Sequence, residues 1–479
     1  MSTPAFAATE KESSASERLG RGQILGAILG IFCLLLLWYA PLPLEPRTQH
    51  ALAVAGFMVI FWIAEVIPHA MTGLIGCWLF WALGVVPPRV AFGGFSSEAP
   101  WFLVGALFIG LMVTESGLAK RLAFAILSSV GTYYPHILLG FILTDFLMTF
   151  MIPAGPPRVI LLGSIVLGVV ASFGLDKKSN IARGMILAIT FSATMFDKTI
   201  IGSTPSILAR SLIVEFGHVP VYWSKWFIAY FPLDVINIVA AWWLILRLYP
   251  PEKDQLPGGR AFLRKQWEEL GPWTGQEKRA ACLTVLAVVL WATDFVHHVS
   301  PAVIGLGIGL AANLPGIGVL KAEHIKKINY GIFLFMGTNI SMAEVLRETK
   351  ALEWMANAMF GFLAPYIDNV LHSTLILYWS AFVAHLVLAS ETSMIAVSMP
   401  MVMQFALDNN LDPLAMGMVW SFATGGKLFI YQSLVLIAGY SFGCFNARDV
   451  FRIGLFFLIT QSILLLVLVP LYWPLLGIG

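Results

Sequence analysis

Charge is scarce in this chain. Only 12% of its 479 residues are Asp, Glu, Lys or Arg, against about 25% in soluble globular domains. Lys and Arg (29) nearly balance Asp and Glu (27), so the sequence offers no basic surface of the kind a nucleic acid requires. Cysteine is scarce too. Cys33, Cys77, Cys282 and Cys444 lie in or beside apolar segments with no paired spacing, which argues against a disulfide framework or a metal cluster. We read them as small packing residues. No HExxH, Walker sequence or glycine-rich nucleotide loop occurs, so neither a metal centre nor ATP-driven work is expected.

Apolar residues take the place of charge: 58% of the chain is hydrophobic and the mean hydropathy is +0.81. Stretches such as 24–40, 226–246 and 453–477 are long enough to cross a hydrocarbon core of about 30 Å, and the shorter 280–293 is read as a further span. The expected fold is an all-α polytopic membrane protein with about 11 transmembrane helices plus re-entrant hairpins, and the bilayer is its first partner. Other apolar segments run from 50–67 to 392–407, while 196–225 and 408–452 contribute none to this reading. The first 22 residues are polar and Ser/Ala-rich and read as a disordered tail. Its "AFA" at 5–7 imitates a signal-peptidase site but no apolar core precedes it. Lys11, Arg18 and Arg21 before the first span point to a cytoplasmic N-terminus and an inner (plasma) membrane location.

One long polar insert, 249–279, carries six Lys/Arg and five Asp/Glu around the amphipathic "FLRKQWEEL", and reads as a cytoplasmic linker helix. It divides the chain into a tail (1–22), a first membrane repeat (23–248), the linker (249–279) and a second repeat (280–479). The two halves look related. "GALFIGLMVTESGLAKRLA" (105–123) is similar to "FLFMGTNISMAEVLRETKALEWMA" (333–356), with Gly117 and Lys350 lying 233 positions apart. "FMIPAGPPR" (150–158) pairs with "LASETSMIA" (388–396) at a separation of 236, and "GSTPSILAR" (202–210) with "YQSLVLIAG" (431–439) at 230. Matched interruptions in two halves are the mark of a repeat-built transporter with its site at mid-membrane.

The interruption "MIPAGPPRVI" (151–160) is informative by itself. In hydrocarbon a broken helix persists only where protein or a water-filled cavity covers its free backbone groups. Pro153, Pro156 and Pro157 delete N–H donors and leave carbonyls free. The helix start beyond them presents N–H groups and a positive dipole end to an anion. Ala154 and Gly155 let a ligand approach the backbone. The alternative is a merely kinked helix or an extramembrane loop.

With these residues in view, the chain resembles the divalent anion/sodium symporter (DASS) family, carriers of dicarboxylates, citrate and sulfate, over about residues 50–475. The resemblance lies in the acid-x-Ile-Pro and Glu-x-x-Gly-Leu features of "FWIAEVIPHAMTGLIGCWLFWALG…LFIGLMVTESGLAKRLA" and in the matching "NYGIFLFMGTNISMAEVLRETKALEWMA". It implies two inverted repeats, scaffold and transport domains, an elevator motion and a homodimer. It also implies a Ser-Asn-Thr motif at each of two hairpin tips, a Gly-Thr/Ser-Pro-Pro-Asn-like turn in each half, and two sodium sites made by these elements together. This chain departs from that pattern. Its first tip reads Ala154-Gly155-Pro156 and its second Ser390-Glu391-Thr392. The first turn is Gly202-Ser203-Thr204-Pro205-Ser206, and the second is degraded to Gln432-Ser433-Leu434-Val435.

The first tip thus has no side-chain oxygen for sodium, and the second exchanges an amide for a carboxylate. Asp197-Lys198 stand just before Ser203, and Lys427 stands six residues before Ser433. Lysines at near-equivalent places point to tethered ammonium groups occupying or replacing the cation positions, with snorkelling at a helix end as the bland reading. Glu391 is the candidate proton acceptor or the partner of Lys427, because intramembrane ionisable groups are costly and usually functional. Arg158 reads equally as a bidentate clamp on a substrate carboxylate or as a salt bridge to Asp145 or Asp197. Ser203, Thr204, Ser206, Ser390, Thr392, Ser393 and Ser433 offer neutral donors. Asp145 and His385, nine and five residues before the two tips, read as packing or pairing groups, and His297-His298 as interfacial.

The expected function is secondary transport of small divalent anions (di- or tricarboxylates or sulfate). Expected substrate contacts are Ala154, Gly155, Pro156, Arg158, Ser203, Thr204, Pro205, Ser390, Glu391, Thr392 and Ser433. Coupling falls to Asp197, Lys198, Glu391 and Lys427. No cofactor is expected, with sodium or a proton as the coupling ion. An ordinary sodium-coupled dicarboxylate symporter, an anion channel and an intramembrane enzyme are the competing readings.

Overall fold

A computed structural model describes residues 20–196, 201–255, 257–367, 370–388, 390–423 and 426–479. Among them there is no strand, only an isolated bridge between Tyr133 and Gln255. Helix is what so apolar a chain must form, since it alone satisfies the backbone of an open segment within lipid.

The first half runs α1 (Arg21–Tyr39), α2 (Pro46–Ile63), α3 (His69–Ala82), α4 (Pro88–Ala91), α5 (Glu98–Glu115), α6 (Leu118–Ser129), α7 (Tyr134–Met148), α8 (Gly155–Ser172), α9 (Asn180–Met195), α10 (Thr204–Gly217) and α11 (Trp223–Leu248). The polar insert forms α12 (Pro257–Glu269). The second half runs α13 (Gly275–Ala292), α14 (Asp294–His297), α15 (Pro301–Ala311), α16 (Ala322–Ile325), α17 (Tyr330–Glu348), α18 (Ala351–Phe360), α19 (Val370–Val387), α20 (Glu391–Asp408), α21 (Pro413–Ala423), α22 (Leu434–Tyr440) and α23 (Ala447–Leu471). Five of the described helices, α1, α5, α8, α11 and α23, are long and apolar enough to cross a membrane by themselves.

With the single-turn α14 set aside, α2–α11 and α13–α23 follow one another in the same order. The backbone repeats as well. Left-handed residues recur in pairs: Glu65 (φ 47°) with His298 (56°), Gly84 (71°) with Gly316 (85°), Gly117 (83°) with Lys350 (56°), Gly174 (63°) with Asn410 (55°), and His218 (55°) with Gly443 (71°). This region is uncommon for residues with a Cβ. Its recurrence at matching places, even where glycine in one half faces lysine, asparagine or histidine in the other, marks one chain path used twice.

The halves exchange partners. α3 packs on α17 while α15 packs on α5, and α8 packs on α22 while α20 packs on α10. That is the pattern a two-fold relation between halves produces. Small residues permit the close crossings: a Cβ on Gly105 would run into the Gly305 backbone, and one on Gly73 into the Thr338 side chain. Without a hydrophobic drive between helices in lipid, such close backbone approach is what holds them together.

The sequence reading overlooked α10, α21 and α22. They are short, and each follows or precedes a polar break, so no apolar run long enough to span announces them. Yet α21 buries nearly all of its residues and most of α10 is buried as well.

Candidate functional site

Four helix starts follow four breaks. Ala154 precedes α8, Ser203 precedes α10, Ser390 precedes α20 and Ser433 precedes α22, each in extended backbone. Three are capped by their own hydroxyl: Ser203 Oγ accepts from the Ser206 N–H at 3.3 Å, Ser390 Oγ from Ser393 at 3.4 Å, and Ser433 Oγ from Val435 at 3.2 Å. Ala154 has no such oxygen. There Pro156 and Pro157 fall in the first helical turn, where the missing N–H groups have no partner to lose. The prolines therefore start α8 rather than interrupt a helix.

The first break is closed by packing and by one cation. A Cβ placed on Gly155 would lie 2.5 Å from Val435 Cγ2 at the start of α22. On its other side, Pro153 and Ile201 face Ala106 and Ile109 of α5 and Trp291 of α13 across a narrow apolar crevice. Arg158 is 0% exposed. Its Nε donates to Asp145 Oδ1 (3.1 Å), Nη1 to the Ile152 and Gly202 carbonyls (3.3 and 3.1 Å), and Nη2 to the Ala193 carbonyl (3.2 Å). Asp145 Oδ2 also accepts from Ser192 Oγ at 3.0 Å. Four of the five guanidinium N–H groups are thus engaged, three of them on backbone carbonyls beside the breaks. Of the two roles left open for Arg158, the structure favours the strut: it ties α7, the first tip, the end of α9 and the first turn together. Asp197 and Lys198 lie outside the described residues.

The second break is built on charge. Lys427 Nζ lies 2.9 Å from Glu391 Oε2, and the two side chains are 1% and 8% exposed. Glu391 opens α20, so its carboxylate also sits at the favourable end of that helix. Behind Lys427, a Cβ on Gly454 would strike the Lys427 carbonyl, so α23 backs the loop closely. Tyr431 OH donates to the Leu386 carbonyl at 3.4 Å, a second tie between this loop and the approach to the tip. Gln432, 0% exposed, accepts the N–H groups of Leu428 (2.7 Å) and Phe429 (2.8 Å) on Oε1. Sequence reasoning missed that role, although Gln432 stands beside Ser433 in the quoted turn.

Lys427–Glu391 and Arg158–Asp145 are two of three ion pairs among the described residues with both side chains under a tenth exposed. The third, Arg121–Glu277, joins α6 to the start of α13, with the Arg121 guanidinium near the rings of Trp267 and Trp273. Breaking a buried pair leaves an uncompensated charge and costs about 3–5 kcal/mol, so such pairs persist where both partners are fixed. Two of the three close the hairpin breaks.

A family model described as the sodium:sulfate symporter transmembrane region matches residues 22–478. The chain belongs to this family. A membrane protein of Cupriavidus necator is 27% identical to it over 94% of this chain and 93% of its own length. The sodium-dependent dicarboxylate transporter SdcS of Staphylococcus aureus is 25% identical over 73% of this chain and 72% of its own. The crystal structure of the YdaH transporter of Alcanivorax borkumensis shares the fold, with a TM-score of 0.57 at 15% identity over 95% of this chain and 100% of that one. As a sodium:sulfate symporter family member, the protein is a multi-pass integral membrane protein and a secondary transporter of anions, not an enzyme.

Proposed function

We propose that this protein carries small divalent anions, di- or tricarboxylates or sulfate, without two ordinary sodium sites. The Lys427–Glu391 pair takes the part of the cation at the second tip. In this reading the anion docks among the tips and turns: Ala154, Gly155 and Pro156, then Ser203, Thr204 and Pro205, then Ser390, Glu391, Thr392 and Ser433. Arg158 braces the first tip from behind. Asp197 and Lys198 serve the first half as Glu391 and Lys427 serve the second. The hairpins α7–α8 and α19–α20 ride in a transport domain that moves as an elevator against a scaffold, in a homodimer. The halves 23–248 and 280–479 are inverted repeats, the linker 249–279 and the N-terminus are cytoplasmic, and the membrane is the inner (plasma) membrane.

The observation that carries the reading is the 2.9 Å contact between Lys427 and Glu391 at the start of α20. A sodium ion beside a neutral amide brings one positive charge to an approaching dianion. Lys427 beside ionised Glu391 brings none, whereas Lys427 beside protonated Glu391 again brings one. A proton therefore switches the pair from self-neutralised to anion-attracting, which suits proton-linked uptake or anion exchange. The competing sodium-coupled reading draws on the name of the SdcS relative and on the buried hydroxyls of Ser203 and Ser433.

The test is uptake of radiolabelled succinate, citrate and sulfate into proteoliposomes, with sodium and pH gradients imposed separately. Saturable uptake with counterflow and no sodium requirement is expected. Strict sodium dependence restores the ordinary symporter, and flux without saturation or counterflow makes the protein a channel.

A further inference from the structure

The second break holds two buried donors that no described residue uses. Gln432 is 0% exposed and its Oε1 is committed to two backbone N–H groups, which fixes the amide orientation and turns Nε2 away from them. That Nε2 has no hydrogen-bond partner among the described residues. Ser393, 3% exposed in the first turn of α20, has an equally unpartnered Oγ, although its N–H is taken by the Ser390 cap. Buried polar groups in native proteins are overwhelmingly satisfied, and each exception asks for a reason.

Their position supplies the reason. Gln432 belongs to the loop that carries Lys427, and Ser393 lies two residues past Glu391. Lys427–Glu391 and Tyr431–Leu386 both tie that loop to the second tip. An amide NH2, held by its own oxygen, and a hydroxyl are donors that charge-assisted bonds to an anion would satisfy. Being neutral, they bind without holding the anion as tightly as a fixed cation. We infer that Gln432 Nε2 and Ser393 Oγ are anion-binding donors of the second break and discriminate in favour of carboxylate or sulfate oxygens. This rests on the carrier reading and deepens it: it names two further contacts, one from the degraded second turn and one from the first turn of α20.

The deciding variant is Gln432→Glu in the full-length protein. It keeps an oxygen for Leu428 and Phe429 but replaces the NH2 by a second carboxylate oxygen. With radiolabelled succinate and sulfate as probes, KM is expected to rise about 10- to 100-fold with little change in kcat, as loss of a hydrogen bond to a charged group implies. Substrate protection against thermal unfolding, read against the variant's own substrate-free melting temperature, should vanish. Ser393→Ala should raise KM less, and Ser393→Thr should restore it. If Gln432→Glu does not fold, the Ser393 pair decides alone. Unchanged KM and protection in both Gln432→Glu and Ser393→Ala, beside a wild type that transports, overturn this inference alone. A wild type that neither takes up nor is protected by any of the three anions overturns the carrier reading and this inference with it.

Discussion

The two helix breaks occupy matching places in the two repeats yet are held together by opposite means. At the first, an Ala-Gly-Pro tip without side-chain oxygens seals against Val435, and a fully buried Arg158 collects Asp145 and three carbonyls. Position 155 is glycine because a Cβ has no room. The residue that answers to it 236 positions on is Glu391, which reaches Lys427 and stands two residues before Ser393, whose Oγ has no hydrogen-bond partner among the described residues. A duplicated framework has kept its backbone path while its two tips have diverged, one closed by packing and an arginine and the other by a lysine–glutamate pair.

The largest effect that would break this comparison lies at the first tip. Arg158→Met strips buried Asp145 of its Arg158 contact and three backbone carbonyls of their donor, at a cost of about 3–5 kcal/mol, so little monodisperse protein should survive extraction. Thermal unfolding in detergent checks it, and near-normal stability would remove the strut. Next comes the second pair. Lys427→Met or Glu391→Gln alone should each destabilise by several kcal/mol, and the double variant should cost less than the sum of the two, because the contact between them is lost only once. A double-mutant cycle measures the coupling. Activity separates the same residues: Glu391→Gln should flatten the pH dependence of uptake, whereas Arg158→Met should lower protein yield without changing that profile. The smallest effect is steric. Gly155→Ala should cost about 1–3 kcal/mol through overpacking, and Val435→Ala in the same chain should return most of it, read as melting temperature.

The membrane class and the repeat could be read from the residues. The 233-residue separation of Gly117 and Lys350, taken from weak similarity, coincides with a shared left-handed backbone at both. Lys427 and Glu391 were also readable as a pair, since charges are so rare here that two near matching breaks stand out. What stayed hidden depends on three-dimensional closure. Whether Arg158 faces a ligand or the fold is decided by where the Ala193 and Gly202 carbonyls land, 35 and 44 residues away. Helices α10, α21 and α22 escape a hydropathy window tuned to full spans of about 20 residues. Gln432 escaped because a polar residue in a degraded turn looks like any loop residue until its oxygen is seen to cap two N–H groups and its NH2 to be left over.

The account turns on Lys427 and Glu391 standing where a mobile cation would otherwise bind. The most direct measurement is uptake into proteoliposomes at fixed pH with all sodium replaced by choline, for the wild type and for a Glu391→Asn, Lys427→Ser variant. Wild-type uptake unchanged by the replacement, together with sodium-stimulated uptake in the variant, is the predicted result. Wild-type uptake abolished in choline would contradict it.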